Sequence, residues 1–397
     1  MNNKNRILSA VGIYHGFNDG AVVIIPILFP VFKVLFNLSY TQIGIITGGG
    51  LLITLITQIF IGLLSDKKNR RMILSAGVLF LSASLLLLTQ IQGFLTLLVF
   101  IFLLRFSAGF FHPVGIGWIS KIFKKEKLDW AMGMQSALGD FGAFIGILTT
   151  AFIVDFKDWS YPFYIWAITG IFCLFIGLSL TRGVKEDITN NEKNKNKKTT
   201  FKEKLLEEKE ILKTVKFFIP GLIVSGSAWG IVVSYLPLLL DEKTVLSLSM
   251  IGVLVSIWIG IGTIVCLFYG KIISFFGRKK VIIFSYIGMG LMGFSLSIFT
   301  DVLILIIIMV ILGMSTFLTY PAIFSYVSEK TDEAYEGKVF GYLFTVQLGG
   351  GTFLLFISGV TSDIWGIWTP FFILGVLSIL ISILLIGNQK KLVPVKT

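Results

Sequence analysis

TQIGIITGGGLLITLITQIFIGLLSDKKNRRMILSAGVLFLSASLLLLTQI, residues 41–91, decides the fold. Two apolar runs, each long enough to cross ~30 Å of hydrocarbon, flank a short loop holding Lys67, Lys68, Arg70 and Arg71. Strands of a membrane barrel would show ~10-residue segments of alternating polarity; these runs are continuous, so both read as membrane-spanning helices. The same unit recurs in both directions. Apolar spans fall near 7–33, 41–65, 71–91, 94–120, 130–154 and 160–181, then near 214–240, 250–272, 279–299, 302–327, 335–360 and 366–387. The first is not a cleavable signal peptide, because it is too long, carries His15, Asn18 and Asp19 in its middle, and is followed by further spans.

Composition agrees. Of 397 residues, 55% are hydrophobic and 14% charged, against about 25% charged in soluble domains. The net charge of +12 would suggest nucleic acid in a soluble chain. Here it has another address. With the N-terminus inside, all of the 34 Lys and Arg residues except Lys33, Lys157, Lys243 and Arg105 fall in cytoplasmic segments, as the positive-inside rule requires. The basic excess is topology, both termini are expected in the cytoplasm, and no nucleic-acid partner is expected. Cys173 and Cys266 lie inside apolar runs, which excludes a disulfide framework or thiolate metal site. No G-x-x-x-x-G-K-[ST] occurs, so no ATP-binding loop of that type drives the protein. The triple glycines 48–50 and 349–351 lie in mid-span and read as helix contacts.

The second half repeats the first. Ser39, Gly44, Gly62, Arg70, Ser107, Pro113, Ser120, Gly133 and Asp155 recur 208 residues later as Ser247, Gly252, Gly270, Arg278, Ser315, Pro321, Ser328, Gly341 and Asp363. The expected fold is an all-α integral membrane protein of 12 transmembrane helices in two pseudo-symmetric six-helix bundles. Residues 1–181 form the first bundle, 182–213 a cytoplasmic linker, and 214–397 the second bundle with a short tail. Within the linker, FKEKLLEEKEILKTVKFF (201–218) suits an amphipathic helix on the inner leaflet or a solvated charged segment. Parallel six-span repeats with a site between them are the plan of rocker-type secondary transporters.

The loop GLLSDKKNRR (62–71) resembles the loop 2–3 signature of the major facilitator superfamily, with Asn69 replacing its second Gly by a residue that tolerates positive φ. The second copy, GKIISFFGRKK (270–280), keeps Gly270, Gly277 and the basic cluster, with Ser274 where the acid stood. The resemblance implies that Gly62, Asp66, Arg70, Arg71, Gly270 and Arg278 form a conformational gate that latches the halves in the outward-facing state. LLRFSAGFFHP (103–113) is similar to the R-x-x-x-G element of proton-coupled members. GMQSALGDFGAFIG (133–146) has the small-residue spacing of the antiporter signature, with Asp140 where Pro is usual. YHGFNDG (14–20), LSYTQIGIIT (38–47), Gln58 and FHP (111–113) resemble the fosmidomycin-resistance type of bacterial facilitator over about the first 150 residues.

Ionisable groups in hydrocarbon are costly and mark pathways by default. This chain has Asp19, Arg105 and Asp140, with its two histidines, His15 and His112, all in the first half. At 1.5 Å per residue the three charges fall about 15–18 Å from a membrane face, near the midplane, and both histidines about 12 Å from the cytoplasmic face. The functional expectation is an Asp19–Arg105 pair with Asp140 nearby and the histidines on a proton route. The alternative is a permanent ion pair that fixes packing. Asn18 and Gln135, with Trp229, Tyr235, Trp258, Tyr320 and Gln347 of the second half, are the candidate substrate-cavity residues; aromatics suit stacking on an organic molecule, although lipid contact or packing is their commoner use. The sequence thus leads to a secondary transporter that moves a drug-like compound or metabolite by alternating access. Proton-coupled efflux antiport is the first reading, and import of an organic anion by symport or uniport, with Arg105 as its anchor, the alternative. Expected partners are the small-molecule substrate, protons and the lipid bilayer of the cell membrane, with a monomeric protein, no cofactor and no enzymatic activity. A metal held by the two histidines and Asp19 is the one enzyme- or receptor-like arrangement the residues offer.

Overall fold

The computed structural model describes residues 2–65, 68–123, 125–184, 216–328 and 336–388. Asp66 and residues 201–215 of the amphipathic stretch of the linker lie outside the described residues. Every described regular element is an α-helix, as hydrocarbon demands, since each backbone polar group must be satisfied within its own segment. Twelve described helices have the length and apolarity to cross a bilayer: Asn3–Ile27, Tyr40–Ser65, Arg70–Leu88, Phe94–Ile122, Trp130–Val154 and Tyr161–Leu180, then Ile219–Lys243, Leu248–Leu267, Arg278–Ile298, Val302–Val327, Tyr342–Trp365 and Thr369–Gly387. They are called spans one to twelve.

Two expected spans are cut short where a helix breaks. Span one ends at Ile27, and the chain restarts as Phe29–Leu35 with Pro30 in its first turn; proline suits a first turn but cannot donate inside a helix. Span eight ends at Leu267 and is followed by the short helix Tyr269–Phe276. Span four is also two pieces, Phe94–Ala108 and Phe111–Ile122. Pro113 has no N–H to give to the Gly109 carbonyl, so the helix loosens one turn before it.

The face where span one begins and span two ends is the basic face. The opposite, acidic face carries Asp155, Asp158, Asp241, Glu242, Asp301 and Asp363 at span ends. The two copies of the basic loop are built differently from the expectation. Asn69 has φ −66° and caps span three by accepting from the Met72 N–H at 3.2 Å, so it replaces glycine by capping rather than by taking positive φ. Gly277 has φ +80°, a region that penalises any side chain.

Apolar burial does not drive association in lipid, so close backbone approach does the work. Spans one and five supply the clearest case. A Cβ on Gly142 would lie 1.9 Å from the Gly16 carbonyl oxygen, and one on Gly146 2.5 Å from that of Gly20. Spans one and seven are the most enclosed. The halves meet through spans two and eleven and spans five and eight. A Cβ on Gly44, near the acidic face, would lie 3.1 Å from the Cα of Gly359, and one on Gly48 2.8 Å from the Thr352 oxygen. Toward the basic face, Gly349 meets, among the described residues, just the tip of Leu55, at 3.8 Å. The halves converge at the acidic face and part toward the basic one.

Candidate functional site

The glycine contact between spans one and five sets the site. Gly139 leaves room for the His15 ring, whose atoms lie 2.7 Å from where its Cβ would stand. One turn away, His15 Nδ1 is 2.8 Å from the Gln135 carbonyl oxygen. A carbonyl only accepts, so Nδ1 carries the hydrogen. The other nitrogen, Nε2, faces Asp19 Oδ2 at 3.2 Å. Asn18 Nδ2 donates to Asp19 Oδ1 at 3.0 Å and steadies the carboxylate. His112 Nε2 stands 4.0 Å from the same Oδ1.

The break at Pro113 places Phe111 and His112 on this cluster. Phe111 stacks on His15 with centroids 4.4 Å apart, and His112 meets His15 edge-on at 5.2 Å. His15 is buried, but the side chains of Asp19 and His112 keep 24% and 31% of their surface. Span one is surrounded by spans three to seven, so that surface opens on the interior of the bundle.

A tautomer argument fixes what the cluster can do. With Nδ1 protonated, a neutral His15 would turn a lone pair on Nε2 toward a carboxylate oxygen. Two acceptors at 3.2 Å repel unless a cation lies between them. One proton shared by His15 and Asp19 satisfies both. One ring nitrogen from each histidine and an Asp19 oxygen, all within 4.8 Å of one another, are also a donor set a transition-metal ion could use.

Arg105 is not the partner expected from the sequence. Among the described residues, Asp19 is in contact with the two histidines, and no carboxylate oxygen lies within 4.0 Å of the Arg105 guanidinium; Arg105 and Asp19 interact only through the field between them. The Arg105 stem runs over Gly50, where a Cβ would lie 3.0 Å from Cγ. Asp140 is half-buried on span five, the helix that packs on span eight at the junction of the halves.

The second-half candidates divide. Trp229, Tyr320 and Gln347 keep partial exposure, with Tyr320 packed on Phe324 at 4.1 Å. Tyr235 and Trp258 are fully buried. Tyr235 Oη donates to the Leu355 carbonyl at 2.8 Å, and Trp258 packs edge-on to Phe317. In this conformation these two are packing groups and line no open surface. In the first half, Asn18 and Gln135 are buried, Asn18 serving Asp19 and Gln135 bonding through Nε2 to Ser136 Oγ at 2.9 Å. Of the gate residues, Gly62 meets Pro113 at 3.5 Å and Gly270 meets no described residue within 4 Å, so among the described residues neither marks a close approach. Arg71 binds Thr181 Oγ1 at 2.9 Å and the Leu178 carbonyl at 3.0 Å, compensating the carbonyl end of span six within its own half. Arg70 and Arg278 open spans three and nine.

One feature was absent from the expected site. At the acidic face each half caps a helix of the other. Asp363, ending span eleven, accepts from the backbone N–H groups of Tyr40 at 2.9 Å and Thr41 at 2.7 Å, which open span two. Asp155, ending span five, accepts from the Ser249 N–H at 3.3 Å and from the Ser249 hydroxyl at the start of span eight. Tyr40 also donates to Glu242 of the second half. Positions 155 and 363, like 41 and 249, are separated by the repeat offset, the one sequence signal that could have linked them.

The comparisons with known proteins agree with this architecture. The family model described as Major Facilitator Superfamily matches residues 11–354 and 267–395. An uncharacterised MFS-type transporter of Methanocaldococcus jannaschii is 27% identical over 86% of this chain and 88% of its own length. The multidrug resistance protein 2 of Bacillus subtilis is 24% identical over 94% and 92%. The fosmidomycin resistance protein of Escherichia coli is 27% identical over 148 residues, 37% of this chain and 36% of that protein, so that likeness spans about a third of each. Among solved structures, the nucleoside transporter NupG matches 98% of this chain and 100% of its own with a TM-score of 0.76 at 15% identity, a likeness of fold. Membrane-length helices, two half-bundles meeting through spans two, five, eight and eleven, and a family match over most of the sequence lead to one conclusion: the chain belongs to the Major Facilitator Superfamily and is a multi-pass secondary transporter of small solutes.

Proposed function

We propose that this transporter is a proton-coupled efflux antiporter for a small organic solute, and that the proton is held by His15 and Asp19. The observation that carries the reading is Nε2 of His15 at 3.2 Å from Asp19 Oδ2 while Nδ1 is committed to a carbonyl. In a transport cycle this proton is the exchangeable one. Its loss leaves two acceptors facing each other, which favours displacement of one of the side chains that carry them and of the helix packing around it. His112 is the neighbouring base on span four, beside both His15 and Asp19, and imidazole suits a relay near neutral pH. Asp140, on the helix that packs against span eight, carries the charge state of the cluster to the junction between the halves. The basic face is assigned to the cytoplasm by the positive-inside rule, with both termini on that side and the protein in the cell membrane. One chain suffices, since its two halves supply both walls of the pathway. The names of the multidrug and fosmidomycin resistance relatives favour export.

Proteoliposomes with an imposed pH gradient and a panel of phosphonates and common drugs supply the test. Transport of a recognised solute is expected to rise with the gradient, fall with a protonophore and lose its gradient dependence in Asp19→Asn. Equal transport without a gradient, together with an unimpaired Asp19→Asn/Asp140→Asn double variant, refutes coupling. Stoichiometric metal in the purified protein would replace the proton with an ion at the same three side chains. Counterflow with defined sidedness separates export from import.

A further inference from the structure

Arg105 carries a second assignment. It lies about 17 Å from the acidic end of span four, near the middle of the membrane. Among the described residues no carboxylate oxygen is within 4.0 Å of its guanidinium, and its hydrogen bonds are made by the backbone, whose carbonyl accepts from Thr54 Oγ1 at 3.0 Å and from the Gly109 N–H at 3.2 Å. Arg71, by contrast, has its guanidinium engaged by a hydroxyl and a carbonyl. A guanidinium offers five N–H donors in a fixed fork and keeps its charge in proteins. Holding one at mid-membrane without a carboxylate is costly, yet the fold supports it. Gly50 gives its stem a bed on span two, and the residue keeps partial exposure.

Nothing across the pathway neutralises it. The interiors of spans seven to twelve contain no Asp, Glu, Lys or Arg; the ionised residues of those spans stand at their ends. What the second half offers is partly exposed aromatic surface at Trp229 and Tyr320. Asp19 is occupied by two histidines and Asn18.

We infer that Arg105 is the anchor for the anionic group of the substrate, a carboxylate, phosphate or phosphonate bound through the guanidinium fork, and that the transported solute is an organic anion with an apolar or aromatic body. Two parallel N–H···O bonds match such groups, and the ligand supplies the charge that the protein withholds. This deepens the transporter reading and rests on it for the word substrate, but the anion site itself is independent of proton coupling.

Binding to the purified full-length protein tests it without any gradient. The probes are benzoate and phenylphosphonate, their neutral counterparts benzamide and benzyl alcohol, and inorganic phosphate, titrated at constant ionic strength with thermal unfolding or tryptophan fluorescence as readout. The aromatic anions are expected to bind saturably, at least tenfold more tightly than the neutral probes. Arg105→Gln should lose that advantage, Arg105→Lys should retain part of it, and Lys121→Gln, on the exposed basic end of span four, should retain all of it. If Arg105→Gln does not fold, Arg105→Lys must still weaken phenylphosphonate at least threefold. Neutral probes binding as well as anions, anion affinity in Arg105→Gln within twofold of the parent, or no binding by either aromatic anion overturns the assignment. Binding by inorganic phosphate equal to phenylphosphonate overturns the organic part of it. Intact anion binding beside gradient-independent transport refutes the proton reading alone.

Discussion

Removing Asp155 and Asp363 together should open the acidic face. Both carboxylates are exposed, so each bond is weaker than a buried one. A capping Asp replaced by Ala costs about 1 kcal/mol. Two such caps give about 2 kcal/mol, or about a thirtyfold change in the ratio of closed to open molecules. The loss falls on the junction rather than on the helices. Span two keeps its own cap, Ser39 Oγ accepting from the Gln42 N–H at 3.1 Å, and span eight keeps Ser247 Oγ on the Met250 N–H at 3.3 Å. Spin labels at Lys157→Cys and Val245→Cys, exposed positions on opposite halves, report the separation in a Cys173→Ser/Cys266→Ser background. Double electron–electron resonance in liposomes should show the long-distance population rising in Asp155→Ala/Asp363→Ala, each single variant lying between. A population within twofold of the parent would refute the latch. A drop in unfolding temperature without a change in distance would mean that the aspartates cap helices and nothing more.

Two further outcomes follow from the packing. Gly142→Ala puts a methyl 1.9 Å from a backbone oxygen that cannot turn aside, so spans one and five must separate at a cost of about 3 kcal/mol or more; the variant should lose folded yield in size-exclusion profiles, and a stable, fully active Gly142→Ala would contradict this packing. Tyr235→Phe removes a buried bond to Leu355, worth about 0.6 kcal/mol for a polar contact between membrane helices. Its unfolding should shift slightly while transport remains at the parent rate; a large transport defect at unchanged stability would return Tyr235 to the substrate path.

Residues 41–91 were enough to read two helices and a basic loop, because hydrocarbon thickness, helical rise and the placement of Lys and Arg leave little choice. The same rules gave the spans and the midplane depth of Asp19, Arg105 and Asp140. They could not give partners. Depth is set along the axis of a single helix, whereas contact depends on which helices approach and how each is rotated. Gly139 and Gly142 admit span one so closely that His15 reaches a carbonyl, and Pro113 turns His112 toward Asp19. Both effects draw Asp19 to the histidines and leave Arg105 with no described carboxylate within 4.0 Å. Asp155 and Asp363 were visible only as repeat markers, since an acid at the end of one helix says nothing about which helix begins beside it. Composition and periodicity determined a twelve-span bundle with charge at its centre. Packing of spans one, four and five within the first half decided which charges meet.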